Sequence, residues 1–428
     1  MNRTRVLLSA YQCAPGQGSV SQIGWEWYKR LSAKVSVSLV THARNRKALE
    51  KAGAPLPGTT VEYIDTEWFA GKLYRFAKWL FPKSEHAIFL LSSVDYYLYD
   101  WITTRRLGVR GSEWDLIHAV TPVAPAAYTT LTRLGLPLVR GPLNGGLRTP
   151  TTFPDFMKSD SAWMYRLRGL SDLFGLPAAL CPQPTITLTA NDSSSDALSA
   201  RERRNNASMP EIAVDTSLYP SMPWPAAPSK DSPLRILFIG RLIAAKALPL
   251  LIESLRRLDQ THNYQLVVAG DGPMRQCWEA DARGLGDRVR FIGSQSQQSL
   301  ANELRESHVL CLPSVRESGG AVLLEAMSSS RPIVAVNYGG PANIVKQNFG
   351  RLVSAEGPEA TIRDLTATWL DVFQHPETWA ERGKAARIEA EQVHSWDIRI
   401  DQMLAHYSNC LRNAPDRAQA ATLEGNLA

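Results

Sequence analysis

Arg241 and Lys246 follow the apolar run RILFIG, and farther along Glu317 and Glu325 stand with seven residues between them. A guanidinium and an ammonium converging after one strand suit a diphosphate, because Arg holds two oxygens at once and Lys adds a mobile point charge. Standing alone, two such cations are more often solvated surface groups. The second pair changes the weighing. The run VLCLP leads into Ser314, Val315, Arg316, Glu317, Ser318, Gly319, Gly320 and Ala321, after which Val322 to Met327 reads as a helix.

Glycines ahead of a helix N-terminus let an anion approach backbone N–H groups that have no partner inside the helix, and the helix dipole favours negative charge there. Glu317 falls in the loop and Glu325 about two turns into the helix. A carboxylate therefore stands on each side of the anion site, as an acceptor for hydroxyl groups of a ribose or hexose. Glu325 sits among Leu323, Leu324, Ala326 and Met327, where a solvated carboxylate is not expected. Two glutamates near one sugar also fit a glycosidase pair; the Gly-rich anion loop between them favours a nucleotide sugar.

Elements must hold these residues in place. Short apolar, β-branched runs recur at RVLLSAY, VSVSLVT, DLIHAV, PLVRG and TITLTA, then at RILFIG, QLVVAG, VRFIG, VLCLP and PIVAV. Segments long enough for helices separate them, which predicts parallel sheets with crossover helices. Leu248, Leu251, Ile252, Leu255 and Leu258 give the helix after RILFIG one apolar face. Between the halves, Pro210, Pro220, Pro223, Pro225, Pro228 and Pro233 read as an interdomain linker.

A chain of 428 residues suits two domains and a cleft between them. The formal charge is +6 over 47 basic and 41 acidic residues, and no zinc-finger spacing, aromatic RNA-binding signature or long arginine tract accompanies it. Nucleic acid is thereby set aside as a partner. Cys13, Cys181, Cys277, Cys311 and Cys410 are odd in number and far apart, as in a reducing compartment. The start reads as a first strand rather than a signal peptide, and no run reaches the ~20 apolar residues that span a bilayer. A cytoplasmic enzyme, either free or peripheral at the inner face of a membrane, is the expectation.

Gly240-Arg241 with Lys246, Ala269-Gly270-Asp271-Gly272-Pro273, Glu317 with Glu325, and Pro332-Ile333-Val334-Ala335 together resemble the C-terminal half of glycosyltransferase family 4. The resemblance implies a GT-B fold of two Rossmann-like, doubly wound parallel-sheet domains, a retaining hexosyltransferase activity, and no bound metal or other cofactor beyond the nucleotide-diphosphate sugar itself. It implies that Arg241 and Lys246 hold the diphosphate, Glu325 the ribose hydroxyls and Glu317 the transferred sugar. Gly319, Gly320 and Ala321 would offer backbone donors, and the stretch from Arg290 to Gly293 would meet the base. Ala247 departs from the glycine that this family often has there.

The first half resembles the family less sharply. Gly16, Gln17, Gly18 and Ser19 form an acceptor-side loop, with Val20 where relatives often carry an acidic residue. His118 follows a strand, where the resemblance places a cleft histidine near the transferred sugar. Gly141-Pro142 with Gly145-Gly146 reads as a further cleft loop. The domains are expected at 1–212 on the acceptor side and 213–394 on the nucleotide-sugar side, then a helix at 395–412 returning to the first domain and a tail at 413–428.

The acceptor is a carbohydrate or a lipid-linked species, and polysaccharide or other cell-envelope glycoconjugate synthesis is the implied process. From 68 to 83, Trp68, Phe69, Leu73, Phe76, Trp79, Leu80 and Phe81 interleave with Lys72, Arg75, Lys78 and Lys83. Such a helix lies on an anionic membrane or packs its apolar side on the core. A phosphorylase or epimerase on the same fold and a catalytically inert nucleotide-sugar-binding protein are the competing readings. A dinucleotide oxidoreductase is disfavoured, because no strand leads into G-x-G-x-x-G.

Overall fold

All ten apolar runs form strands in the computed structural model, which describes residues 3–80, 94–159, 181–259 and 261–413. The chain divides into two compact units. Among the described residues, the first contains 3–80, 94–146, 181–211 and 400–413 and the second contains 147–159, 212–259 and 261–399. Residues 147–159 thus go with the second unit although they lie inside the span 1–212 read as the first domain. The reason is packing: Phe153 is fully buried in the second unit's core, and Thr152 Oγ1 donates to the carbonyl of Ala355 at 2.9 Å.

The first unit holds a seven-stranded sheet in the order β3-β2-β1-β4-β5-β6-β7. Its strands are β1 (Arg5–Ala10), β2 (Ser36–His42), β3 (Thr60–Ile64), β4 (Leu116–Thr121), β5 (Leu138–Leu143), β6 (Ile186–Thr189) and β7 (Asn206–Ser208). The second unit's sheet runs β10-β9-β8-β11-β12-β13, from β8 (Leu234–Ile239), β9 (Tyr264–Ala269), β10 (Val289–Gly293), β11 (Val309–Leu312), β12 (Ile333–Val336) and β13 (Gly350–Val353). Every pairing is parallel.

Sheets covered on both faces need strands apolar on both sides, which is why these runs read as continuous rather than alternating. On β8 and β9, Ile236, Phe238, Leu266 and Val268 enter one core while Leu237, Ile239, Val267 and Ala269 enter the other. The strands that escaped the sequence reading are β3, β7 and β13. Each lies at an edge of its sheet and none combines length with a continuous apolar run.

The proline-rich segment is not a free linker. Val214 and Tyr219 are buried in the second unit, Val214 bridges to Ser395, and the Trp224 indole donates to the carbonyl of His308 at 2.8 Å. In the last helix, Trp396–Arg412, residues from Ile400 onward count with the first unit, where Met403, Tyr407 and Cys410 are buried. The expected tail, from residue 414, lies outside the described residues, as do Phe81, Pro82 and Lys83.

Candidate functional site

In each sheet the chain order reverses beside the first strand, between β8 and β11 in the second unit and between β1 and β4 in the first. At such a switch point the loops leaving the carboxyl ends of two adjacent strands diverge and leave a crevice that suits a ligand. Arg241 and Lys246 leave β8 there, and Glu317, Gly319 and Gly320 leave β11. Register therefore brings together residues that lie far apart along the chain.

Lys246 closes a single helical turn, Ala244–Lys246, and its stem lies over Gly240. Its ammonium forms an ion pair with Glu317 Oε2, both side chains being mostly buried, at 17% and 14% exposure. Ala247 then adopts a left-handed conformation, φ 48°, to start the helix Leu248–Arg256. The departure from glycine at this position thus leaves a Cβ where the backbone favours none. Arg241 is exposed beside this turn.

The loop after β11 ends at Gly320, whose φ of 82° caps the helix Ala321–Ser328 without a side-chain acceptor. No acidic residue occupies the helix's first turn, so an anion there meets backbone N–H groups, with the nearby Glu317 carboxylate engaged by Lys246. Two further glycines set the loop's backing. A Cβ at Gly340 would lie 2.5 Å from the carbonyl oxygen of Ser318, and the Gly340 N–H donates to the carbonyl of Glu317 at 2.8 Å. Likewise, a Cβ at Gly270 would lie 2.0 Å from the carbonyl oxygen of Gly240, so the Ala269–Pro273 motif is a packing surface for the Arg241 loop.

Glu325 sits one helical turn and more beyond Gly320, with its Oε2 buried and without a hydrogen-bond partner in the protein. Burial pushes its carboxyl up to about 7, and the nearby Tyr219 hydroxyl opposes that rise. Arg290 is exposed on the edge strand β10, and the Gly293 carbonyl accepts from Gly270 N–H at 2.8 Å. Arg290 and Gly293 thus belong to the strand beyond β9, two places from the β8 turn.

In the first unit, Gly16, Gly18 and Ser19 form an exposed loop after β1 that opens the helix Ser19–Leu31, with positive φ at both glycines. His118 corrects the expectation placed on it. It lies inside β4 rather than after it, is fully buried, and uses both ring nitrogens, Nδ1 with Tyr407 Oη at 2.7 Å and Nε2 with the carbonyl of Gly141 at 2.6 Å. Burial lowers its pKa to about 4, so it stays neutral. Its role is to join β4, β5 and the last helix, and it offers no ring nitrogen to a sugar. Gly141, Gly145 and Gly146 are close-packing positions against Leu188, Pro125 and Ser193 respectively.

Sequence reasoning missed Tyr219, Ser328 and Arg387. Tyr219 lies in the segment read as a linker, and no spacing pattern ties a lone tyrosine to a carboxylate 106 positions later (325 − 219).

Residues 225–386 match the family model for glycosyl transferases group 1. Over 205 residues the chain is 33% identical to a D-inositol 3-phosphate glycosyltransferase of Gordonia bronchialis, covering 44% of each chain. Over 180 residues it is 32% identical to an alpha-D-kanosaminyltransferase of Streptomyces kanamyceticus, covering 41% of this chain and 46% of that one. These matches span less than half the length of either relative. Among solved structures, HepE of Anabaena in complex with UDP is similar with a TM-score of 0.63 and 16% identity, covering 95% of this chain and 100% of that one. The architecture of two parallel-sheet α/β units is the GT-B fold.

Proposed function

We propose that the second unit binds a nucleoside diphosphate sugar at the carboxyl edge of its sheet and that the chain transfers the sugar to an acceptor hydroxyl. The observation that carries this reading is the meeting of Lys246 and Glu317 at the β8/β11 switch point, beside a helix N-terminus led by Gly320. That arrangement falls inside the stretch similar to group 1 glycosyl transferases. The UDP complex of the similarly folded Anabaena protein supports a nucleotide-linked donor.

Arg241 and Lys246 take the diphosphate, Gly319, Gly320 and Ala321 add backbone N–H donors, Glu317 meets the transferred sugar and Glu325 the ribose. Arg290 and Gly293 are the candidates for base contact. In the transfer, the bond from the anomeric carbon to the diphosphate oxygen breaks as the acceptor oxygen bonds to that carbon. The hydroxyl proton passes to the departing phosphate, and the family 4 resemblance implies that configuration is retained. Negative charge grows on the leaving group, so the two cations and the helix N-terminus stabilise the transition state more than the ground state. Nothing in this scheme calls on a metal or a second cofactor.

The acceptor reading rests on the first unit. Its exposed Gly16–Ser19 loop stands at the β1/β4 switch point. The helix Glu67–Leu80 exposes Trp68, Tyr74, Phe76 and Trp79 together with Lys72, Arg75 and Lys78. That surface suits an anionic membrane and hence a lipid-linked acceptor in cell-envelope synthesis at the cytoplasmic face. No helix among the described residues is long and apolar enough to cross the membrane.

Thermal shift against uridine, guanosine and adenosine diphosphate sugars tests the donor assignment. A ligand at 100 times its Kd stabilises by about 2.7 kcal/mol, and Glu325→Ala is expected to lose the response. Nucleotide release upon addition of acceptor extracts separates a transferase from an inert binder, which would take up donor and release nothing.

A further inference from the structure

The helix Ala321–Ser328 carries Glu325 and Ser328 three residues apart, on one face. That face meets a single residue twice. Tyr219 is 3% exposed, and its backbone carbonyl accepts from Ser328 Oγ at 2.6 Å and from Arg387 Nη1 at 2.9 Å. Its phenol, at the other end of the side chain, faces the carboxyl of Glu325. The two groups approach each other in the interior without a closed hydrogen bond, and both the Tyr219 hydroxyl and Glu325 Oε2 are unpartnered.

Two buried polar atoms left open toward each other are costly unless something closes them. The surroundings do not supply a substitute, since Leu323, Leu324, Ala326 and Met327 of the same helix are packed into the apolar core. Arg387, from the helix Pro376–Gln392, also meets this face. Its guanidinium is spent on the carbonyls of Thr216, Tyr219 and Ser328 and on Glu391. Burial raises the Tyr219 hydroxyl above its ordinary value, so it remains a proton donor at every physiological pH.

We propose that Tyr219 is a positioning residue for Glu325, its phenol standing beside the buried Oε2 and so setting the direction in which the carboxyl group meets the ribose of a nucleotide. The inference rests on the reading of Glu325 as a donor-site carboxylate. Ser328 and Arg387 fix the backbone end of Tyr219 through its carbonyl. Burial drives Glu325 toward the neutral form and the phenol drives it back. Losing the phenol therefore makes the carboxyl harder to ionise, and nucleotide binding shifts to higher pH.

The test uses the full chain labelled with carboxyl-13C glutamate, the Glu325 signal being identified by its loss in Glu325→Gln. In Tyr219→Phe the Glu325 midpoint is expected about one pH unit above that of the wild type. UDP affinity measured by calorimetry is expected to fall about fivefold at pH 7 and to recover to within about twofold of the wild type at pH 8.5. Ser328→Ala, which loosens the backbone end and keeps the phenol, is expected to lower the melting temperature without moving the midpoint. A purely structural Tyr219 would weaken UDP binding equally at both pH values, and an unmoved midpoint in Tyr219→Phe overturns the proposal. Failure of the wild type to bind UDP, GDP or ADP would sink the donor reading instead, while the titration would still decide the part played by Tyr219.

Discussion

Lys246 forms an ion pair with Glu317, joining the loops that leave β8 and β11 although 71 residues separate the two in sequence. Each side chain fixes the other at the point where an incoming diphosphate and sugar would meet. A cation held by a partly buried carboxylate costs little to reorganise when charge develops nearby, which is the condition for electrostatic stabilisation of a transition state.

Removing these cations bears on catalysis and on folding. Lys246→Ala and Arg241→Ala are expected to lower kcat by about 10²- to 10³-fold, equivalent to about 3–4 kcal/mol of transition-state stabilisation. Lys246→Ala is expected to cost about 3 kcal/mol of stability as well, because it leaves the mostly buried Glu317 carboxylate without its partner. Nucleotide release assays and urea melts measure the two quantities, and wild-type turnover in both variants would remove these residues from the chemistry.

Glu325 makes stability depend on pH. Its folded-state pKa is pushed up to about 7 by burial, against about 4.3 in an unfolded chain. Between those values the folded protein keeps a proton that the unfolded chain has lost. Stability therefore falls as pH rises through that window, by about 4 kcal/mol in all, and stays low above it. Glu325→Gln is expected to flatten the urea midpoint between pH 4.5 and 7.5 and to match or exceed the wild type at pH 8, while binding nucleotide poorly. A slope unchanged by the substitution would contradict the buried carboxyl.

Gly340→Ala tests the backing of the anion loop. The added methyl has no room beside the Ser318 carbonyl, and overpacking of this kind costs about 1–3 kcal/mol. Because the loop must shift to admit it, KM for the donor is expected to rise more than kcat falls. An unchanged KM in a folded variant would mean that the loop's position is not what binds the donor.

His118→Gln is expected to destabilise the first unit by about 2 kcal/mol or more, since it disturbs fully buried partners in Tyr407 and Gly141. Activity per folded molecule should stay within a few-fold of the wild type. A loss of about a hundredfold with stability intact would restore the histidine to the reaction.

Replacing Trp68 and Trp79 with Ser, in the exposed face of the helix Glu67–Leu80, is expected to abolish co-sedimentation with vesicles containing phosphatidylglycerol. The wild type should bind them at low salt and release as salt rises. Wild-type protein that ignores anionic vesicles would leave this face without a membrane role.

The sequence alone determined the fold class and marked the strand-end residues, Arg241, Lys246, Glu317 and Gly320, that strand order brings to one sheet edge. Parallel strands covered on both faces must be apolar throughout, so ten of them announced themselves. Glycines, cations and carboxylates at strand ends carry their chemistry in their types and spacing. The edge strands β3, β7 and β13 stayed hidden because a short strand at the margin of a sheet needs no long apolar run. Only the tertiary structure decided that the Lys246 ammonium rests on Glu317, that His118 is consumed by Tyr407 and Gly141, and that Tyr219 faces Glu325 from a segment read as a linker. The physical reason is the same in each case. Whether a polar side chain is free or satisfied depends on partners supplied by strand order and helix packing, and those partners lie dozens to hundreds of residues away in the chain.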